Sequence, residues 1–427
     1  MAAPRTLVAR QFSSLRIFNY RVYFFGQMVS LIGTWMQTTG QAWLVLKITG
    51  SPLALGTVTT IQFLPMTVFI LFGGVVADRV PKRKLLIVTQ ALALVQASIM
   101  GALVMTGTVQ LWHIYCMALT LGLINAFGNP VRQAFVVELV GKDQLVNAVA
   151  LNSSIFNGAR ILGPAAAGLA IGFTGLATAF FLNALSFVAV LAAYFAMKPS
   201  QFYAPRPATA RGNVVSQVGQ GFRYAWRTPS VLYLFILLAF IGTFGFNFTV
   251  VIPLVARFVL HVGPEQFGLL TSCMGVGSLI SALAIAGSGR ASNRVFIASM
   301  AGFVIALGAV AASPWFLLTC GFLVIQGVSN IAFTTTINTG IQLEVPDELR
   351  GRVISIYQLL MAGTTPFGGW FTGRLAESVG VPTTLGIEAA ICALGVVVGL
   401  TYRAIHGRHF RASAAGRRTA EQGVPAS

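Results

Sequence analysis

A chain of 427 residues that is 56% hydrophobic and only 9% charged cannot be a string of soluble domains, in which about 25% of residues are charged. Its formal net charge of +18 would suit a polyanion, yet all but four of the 28 Lys and Arg residues fall in the N-terminal arm, alternate loops and the tail. That asymmetry is the positive-inside pattern of a polytopic membrane protein, so anionic lipid headgroups suffice as partner and nucleic acid is not expected.

Along the chain, apolar runs long enough to cross about 30 Å of hydrocarbon recur with short breaks. The arm 1–22 carries Arg5, Arg10, Arg16 and Arg21 and leads into a run too long for a cleavable signal, so the first span is read as a retained helix. Spans are predicted at 23–46, 53–77, 85–105, 111–127, 146–171 and 176–197. After a Pro- and Arg-rich linker, 198–230, six more follow at 231–256, 268–286, 295–312, 315–337, 353–375 and 382–402, with a basic tail over 403–427. Helices are the only option, because open strands leave their backbone unsatisfied in lipid. Residues 215–226 of the linker suit an amphipathic helix on the inner leaflet. Ala126-Phe127 and Glu138 recur at a constant offset as Ala332-Phe333 and Glu344, and Pro164 is echoed by Pro366. The expected fold is therefore all-α and integral to the membrane, two parallel six-helix bundles (23–197 and 231–402) with both termini cytoplasmic.

Cys116, Cys273, Cys320 and Cys392 lie in apolar spans without a Cys-x-x-Cys spacing, and no phosphate-binding loop occurs. No catalytic residues, metal, cofactor or direct use of ATP is expected, and the chain reads as a non-enzyme.

Polar side chains inside spans are the informative exceptions. Ser30, Thr34, Gln37 and Gln41 share one face of the first helix, and Gln326 and Asn330 repeat the theme in the tenth. Asn247 adds another amide to the seventh, among several phenylalanines. Such groups cannot face lipid, which leaves interhelical hydrogen bonding or the wall of a substrate cavity. Two charges lie deep within spans. Arg160, in Asn157-Gly158-Ala159-Arg160-Ile161-Leu162-Gly163-Pro164, is either an anchor for an anionic or hydrogen-bonding substrate or a packing device beside a proline-loosened backbone. Glu388 reads as a snorkelling or hydrogen-bonded carboxyl.

Between the second and third spans runs Gly73-Gly74-Val75-Val76-Ala77-Asp78-Arg79-Val80-Pro81-Lys82-Arg83-Lys84. This loop resembles the loop 2–3 signature of the major facilitator superfamily, with Pro-Lys-Arg in place of Gly-Arg-Arg. Leu31-Ile32-Gly33-Thr34-Trp35-Met36-Gln37, Asn129-Pro130-Val131-Arg132-Gln133-Ala134-Phe135 and Ala159-Arg160-Ile161-Leu162-Gly163-Pro164 are similar to the bacterial transmembrane secretion effector group, which includes enterobactin-type siderophore exporters and macrolide-efflux permeases. The resemblance implies the twelve-helix, 6+6 pseudo-symmetric major facilitator fold in a bacterial inner membrane. It further implies a cavity lined by spans 1, 4, 7 and 10, and a cytoplasmic gate in which Asp78 latches the halves with help from Arg79, Arg83, Arg132 and Glu138. The expected activity is export of small amphipathic compounds such as drugs, siderophores or secondary metabolites, coupled to protons, by a monomer. An uptake permease for a nutrient or lysolipid and a non-transporting membrane scaffold or sensor are the rival readings.

Overall fold

A computed structural model describes residues 12–203, 214–288 and 292–407, of which 70–79, 214–217 and 288 are described by their backbone alone. Among the described residues there is no strand. The helices are α1 (Phe18–Thr49), α2 (Pro52–Arg79), α3 (Lys82–Met105), α4 (Leu111–Val140), α5 (Leu145–Thr174), α6 (Leu176–Ala196), α7 (Val214–Arg227), α8 (Pro229–Gly245), α9 (Phe248–Leu254), α10 (Pro264–Ser288), α11 (Asn293–Ala312), α12 (Phe316–Glu344), α13 (Asp347–Val379) and α14 (Val381–Ile405). Ten stretches are long and apolar enough to cross a membrane, with Pro229–Val259 counted as one. α1 and α13 are as long but too polar to qualify, α1 through its Ser, Thr and Gln residues and α13 through the Gln, Thr, Gly and Pro residues of its charge-free middle.

Two expected boundaries differ from the chain's actual course. The seventh span is broken: α8 stops at Gly245, α9 starts at Phe248, and α9 runs into a π-helical turn at Val255–Val259. Gly245, Asn247 and Pro253 account for the break, since glycine weakens a helix, Asn competes for its backbone and proline removes a donor. Several helices also run past their apolar segments, with α4 reaching Val140 and α12 reaching Glu344.

One end of the molecule is built from tight turns. Gly50 closes α1 in the left-handed region at φ +61°, its N–H donating to the Leu46 carbonyl at 3.0 Å. The other end carries Lys82, Arg83, Lys142 and the linker, and is called the basic end here. Helices α1–α6 pack chiefly on one another, α8 and α10–α14 do the same, and the two sets meet along α2 against α13 and α5 against α10.

Proline chemistry and glycine spacing explain these two seams. Pro366 has no N–H for the carbonyl of Ala362, and the hydroxyl of Thr67 takes that carbonyl from across the seam at 2.9 Å. One turn further on, Thr60 donates to the Pro366 carbonyl at 2.8 Å. Toward the turn end, Gly56 lies against the backbone of Gly369 and Gly373, so closely that a Cβ on Gly56 would overlap the Gly369 carbonyl. The second seam repeats the plan. Gly268 meets the Pro164 carbonyl, Ser272 donates to the Ile161 carbonyl at 2.7 Å, and Glu265 covers Gly172. Ser51 and the Leu53 N–H both bond Glu377 at the turn end itself, at 3.0 and 3.2 Å. These cross-links run from the turn end down to Thr67 and Arg160, so the two sets are closed on each other at that end.

Candidate functional site

Below the closed end, the two sets enclose a cavity of about 160 Å³. α1 contributes Trp35, Thr38, Thr39 and Ala42, α2 contributes Phe63, and α5 contributes Arg160. From the other set come Phe246, Phe248, Thr249 and Ile252 around the break, Phe267, Thr271 and Met274 on α10, and Thr365 on α13. Trp43 stacks on Phe267 at 5.6 Å over the turn-end side, which ties α1 to α10. A second cavity, about 290 Å³, opens nearer the basic end between α1, α2, α4 and α5, with Gln27, Asn129, Arg132, Gln133 and Asn152 among its walls. Phe156 on the wall of this one meets Trp35 on the wall of the other edge-to-face, at 6.1 Å.

Arg160 is the charged member of the upper cavity's wall. Its guanidinium carbon lies 5.9 Å from the Trp35 ring centroid and a terminal nitrogen is 3.9 Å from the Met274 sulfur. Among the described residues no carboxylate pairs with it. A guanidinium held by a ring face and a thioether keeps most of its five donors free for a ligand. The cavity therefore combines aromatic walls, threonine hydroxyls and one unneutralised cation, a chemistry suited to an apolar body with a carboxylate or other anionic group.

The amide stripe of α1 lies elsewhere. Gln37 donates to Gln96 on α3 at 2.9 Å and accepts from Asn183 on α6 at 2.6 Å. Gln41 donates to Gln62 on α2 at 2.8 Å, Thr34 bonds back to the Ser30 carbonyl at 2.8 Å, and Ser30 itself is buried. Ser30, Thr34, Gln37 and Gln41 thus face into their own set, and the cavity is walled by a face of α1 about 120° further round the helix. The physical reason is proximity: Gly33 abuts Asn183 and Ser186 of α6, which draws this stripe against α6.

The second set contains the other expected cavity residues, all buried. Asn247 sits in the break, its amide nitrogen donating to the Thr243 carbonyl at 2.8 Å while its Oδ1 has no protein partner. Gln326 is fully buried and neither amide atom is bonded; Asn330, one turn on, is buried with it. Asn247 is flanked by the cavity residues Phe246 and Phe248, whereas Gln326 and Asn330 are not on the cavity wall.

The expected gate residues separate as well. Lys82 pairs with Glu138 at 2.7 Å, so Glu138 is engaged within its own set and by Lys82 rather than by Arg132. Arg83 donates to the Tyr194 carbonyl at 2.9 Å and reaches Phe195, capping the C-terminus of α6, where a cation complements the helix dipole. Arg132 lines the basic-end cavity with its Nε buried and unbonded. The side chains of Asp78 and Arg79 lie outside the described residues.

The aromatic and methionine wall was not anticipated from the polar pattern, although Phe246 and Phe248 stand beside Asn247 in the sequence. A membrane helix is apolar on every face, so its pattern does not separate a phenylalanine facing a cavity from one facing lipid.

Comparison with known proteins agrees with this architecture. A family model described as transmembrane secretion effector, within the major facilitator group, matches residues 9–421. The chain is 26% identical to the staphyloferrin A transporter of Staphylococcus aureus, over 86% of this chain and 91% of that one. It is also 26% identical to the multidrug efflux pump Tap of Mycolicibacterium fortuitum, over 83% and 88%. In fold it is similar to the nucleoside transporter NupG, with a TM-score of 0.72 at 10% identity, covering 90% of this chain and 99% of that one.

Proposed function

Because the chain belongs to the transmembrane secretion effector family, we propose that it is a twelve-span secondary exporter of a bacterial inner membrane. It moves small amphipathic compounds by alternating access, coupled to protons. α1 and α13 complete the twelve spans, their polar residues turned to protein and water rather than lipid. The basic end faces the cytoplasm under the positive-inside rule, which makes the closed turn end the outer one and the state described an inward-facing one. Residues 23–197 and 231–402 are the two rocking units. The work is that of a monomer, with a small-molecule substrate, protons and lipid as its partners.

One observation carries the substrate reading: a guanidinium with no acidic partner among the described residues, on the wall of an aromatic cavity between the halves. Cargo of mixed character follows, with an anionic or strongly accepting group held by Arg160 and a flat apolar part against Trp35, Phe246 and Phe267. Relatives named for a siderophore and for several drugs support both aspects. Among the expected gate residues, Asp78, Arg79 and Arg132 are proposed to meet the other half when the basic end closes. Asp78→Asn is expected to stop transport while folded protein persists.

Everted vesicles from cells producing the protein, challenged with carboxylate siderophores and anionic amphipathic antibiotics, test the proposal. Accumulation driven by an inwardly acidic gradient is expected. Accumulation in right-side-out vesicles alone would establish uptake instead, and none in either orientation would leave a scaffold.

A further inference from the structure

Glu388 is fully buried seven residues into α14, about 10 Å from the turn end by helix rise. It does not snorkel. Its Oε1 accepts from the hydroxyl of Thr372 on α13, and its Oε2 is buried with no protein partner. Among the described residues, no cation is an electrostatic or hydrogen-bond partner of Glu388. α14 itself presents Cys392 one turn away and α13 presents Thr372, while the neighbouring helices put Gly245 of α8 against Cys392, Phe240 of α8 against Gly395 and Gly308 of α11 against Ala389. Arg374 and Arg257, the nearest cations along the chain on α13 and the π turn, are exposed. A carboxylate with a single hydrogen bond in such surroundings costs several kcal/mol, whereas the neutral acid costs far less. The unpartnered Oε2 is the atom on which a proton would sit.

The position of this acid gives it leverage. Thr372, its one partner, directly precedes Gly373, and Gly373 and Gly369 are the glycines of α13 that lie against Gly56 in the seam between the halves. Gly368, one turn below Thr372, touches the side chain of Asn247, the residue in the break before α9. α9 in turn packs on α1, α2 and α13, and the residues flanking Asn247 line the cavity. Glu388 thus stands behind the contact that closes the turn end, and its partner Thr372 is one turn of α13 from the contact with Asn247.

We propose that Glu388 is a proton-binding site that controls the α2–α13 seam: with the proton bound the turn end is sealed, and loss of the proton draws water in between α13 and α14 and releases it. The inference deepens the exporter reading and rests on its alternating access. The proton is held on a carboxyl oxygen and leaves as a hydrated proton, with no other group changing charge.

The test needs no transported substrate, so it fails or succeeds independently of the export assay. In a cysteine-free background, spin labels at Thr108→Cys and Trp315→Cys report the separation of the halves at the turn end in nanodiscs. The infrared carbonyl band of a protonated carboxylic acid reports the group itself. Wild type is expected to show the short separation at acid pH and a longer one at alkaline pH, with the band lost in step. Glu388→Gln should hold the short separation at every pH and lack that band, and Thr372→Val should move the pH of the change while Thr372→Ser leaves it in place. A separation that ignores pH in wild type, or a pH response and band that survive in Glu388→Gln, overturns the proposal. If Glu388→Gln fails to fold, the Thr372 pair decides: equal midpoints in wild type, Thr372→Val and Thr372→Ser overturn it.

Discussion

The two halves satisfy their buried amides to different degrees. In the first, Gln37 bonds both Gln96 and Asn183, and Gln41 bonds Gln62, so four helices share a satisfied polar network. In the second, the Oδ1 of Asn247, both amide atoms of Gln326 and one oxygen of Glu388 are buried with no protein partner, whereas in the first, among the described residues, only the Oε1 of Gln90 and the Nε of Arg132 are. A satisfied network rigidifies the helices it joins, while orphaned groups mark a packing that gains bonds by changing. The first half is accordingly the more fully bonded one, and the second is the half whose helix breaks at Asn247.

Gly56→Leu gives the hardest blow to this contrast, because it wedges the seam on which both halves depend. The side chain has no room beside the Gly369 carbonyl, so transport should fall by about 100-fold or more, and spin labels should find the turn end open; this equates to about 2.7 kcal/mol against the closed state. Unaltered transport would mean that the seam does not form in the cycle. Arg160→Ala comes next, removing the one charge from the cavity. Apparent affinity for anionic cargo should drop about tenfold, roughly 1.4 kcal/mol, with Arg160→Lys between the two. A substrate profile identical to wild type would return Arg160 to a packing role.

The last two variants sharpen the comparison directly. Gln37→Leu strands Gln96 and Asn183, and thermal unfolding in detergent should show a loss of about 1–2 kcal/mol with substrate range intact. Gln326→Leu removes an amide that has no bond to lose. Its stability should change by less than about 1 kcal/mol, or rise. Equal losses in the two variants would erase the distinction between the halves.

The helices themselves were legible because lipid enforces them: apolar length, turn residues and basic loops leave little choice. The face that each polar stripe presents was not. Periodicity assigned Ser30, Thr34, Gln37 and Gln41 correctly to one face, but only the approach of α6 at Gly33 determines that the face points inward to its own bundle. Arg160 was found because a charge inside a span is conspicuous at any orientation. The break at Asn247 was drawn as continuous helix, since the hydrophobic run hides the joint effect of Gly245, Asn247 and Pro253. Glu388 was read as a snorkelling or hydrogen-bonded carboxyl; it is the second, and its partner Thr372 was not legible because it lies on another helix, α13.

The glycine-lined seam has a practical corollary. Its closure relies on backbone fit and on carbonyls such as those of Gly369, Ala362 and Pro366, none of which carries a formal charge. Ionic strength screens charges and leaves such contacts nearly untouched, so the turn-end seal, apart from its Glu377 contacts, should be as tight in brine as in dilute buffer. A cell living through osmotic swings would keep its barrier to leakage without adjusting this protein.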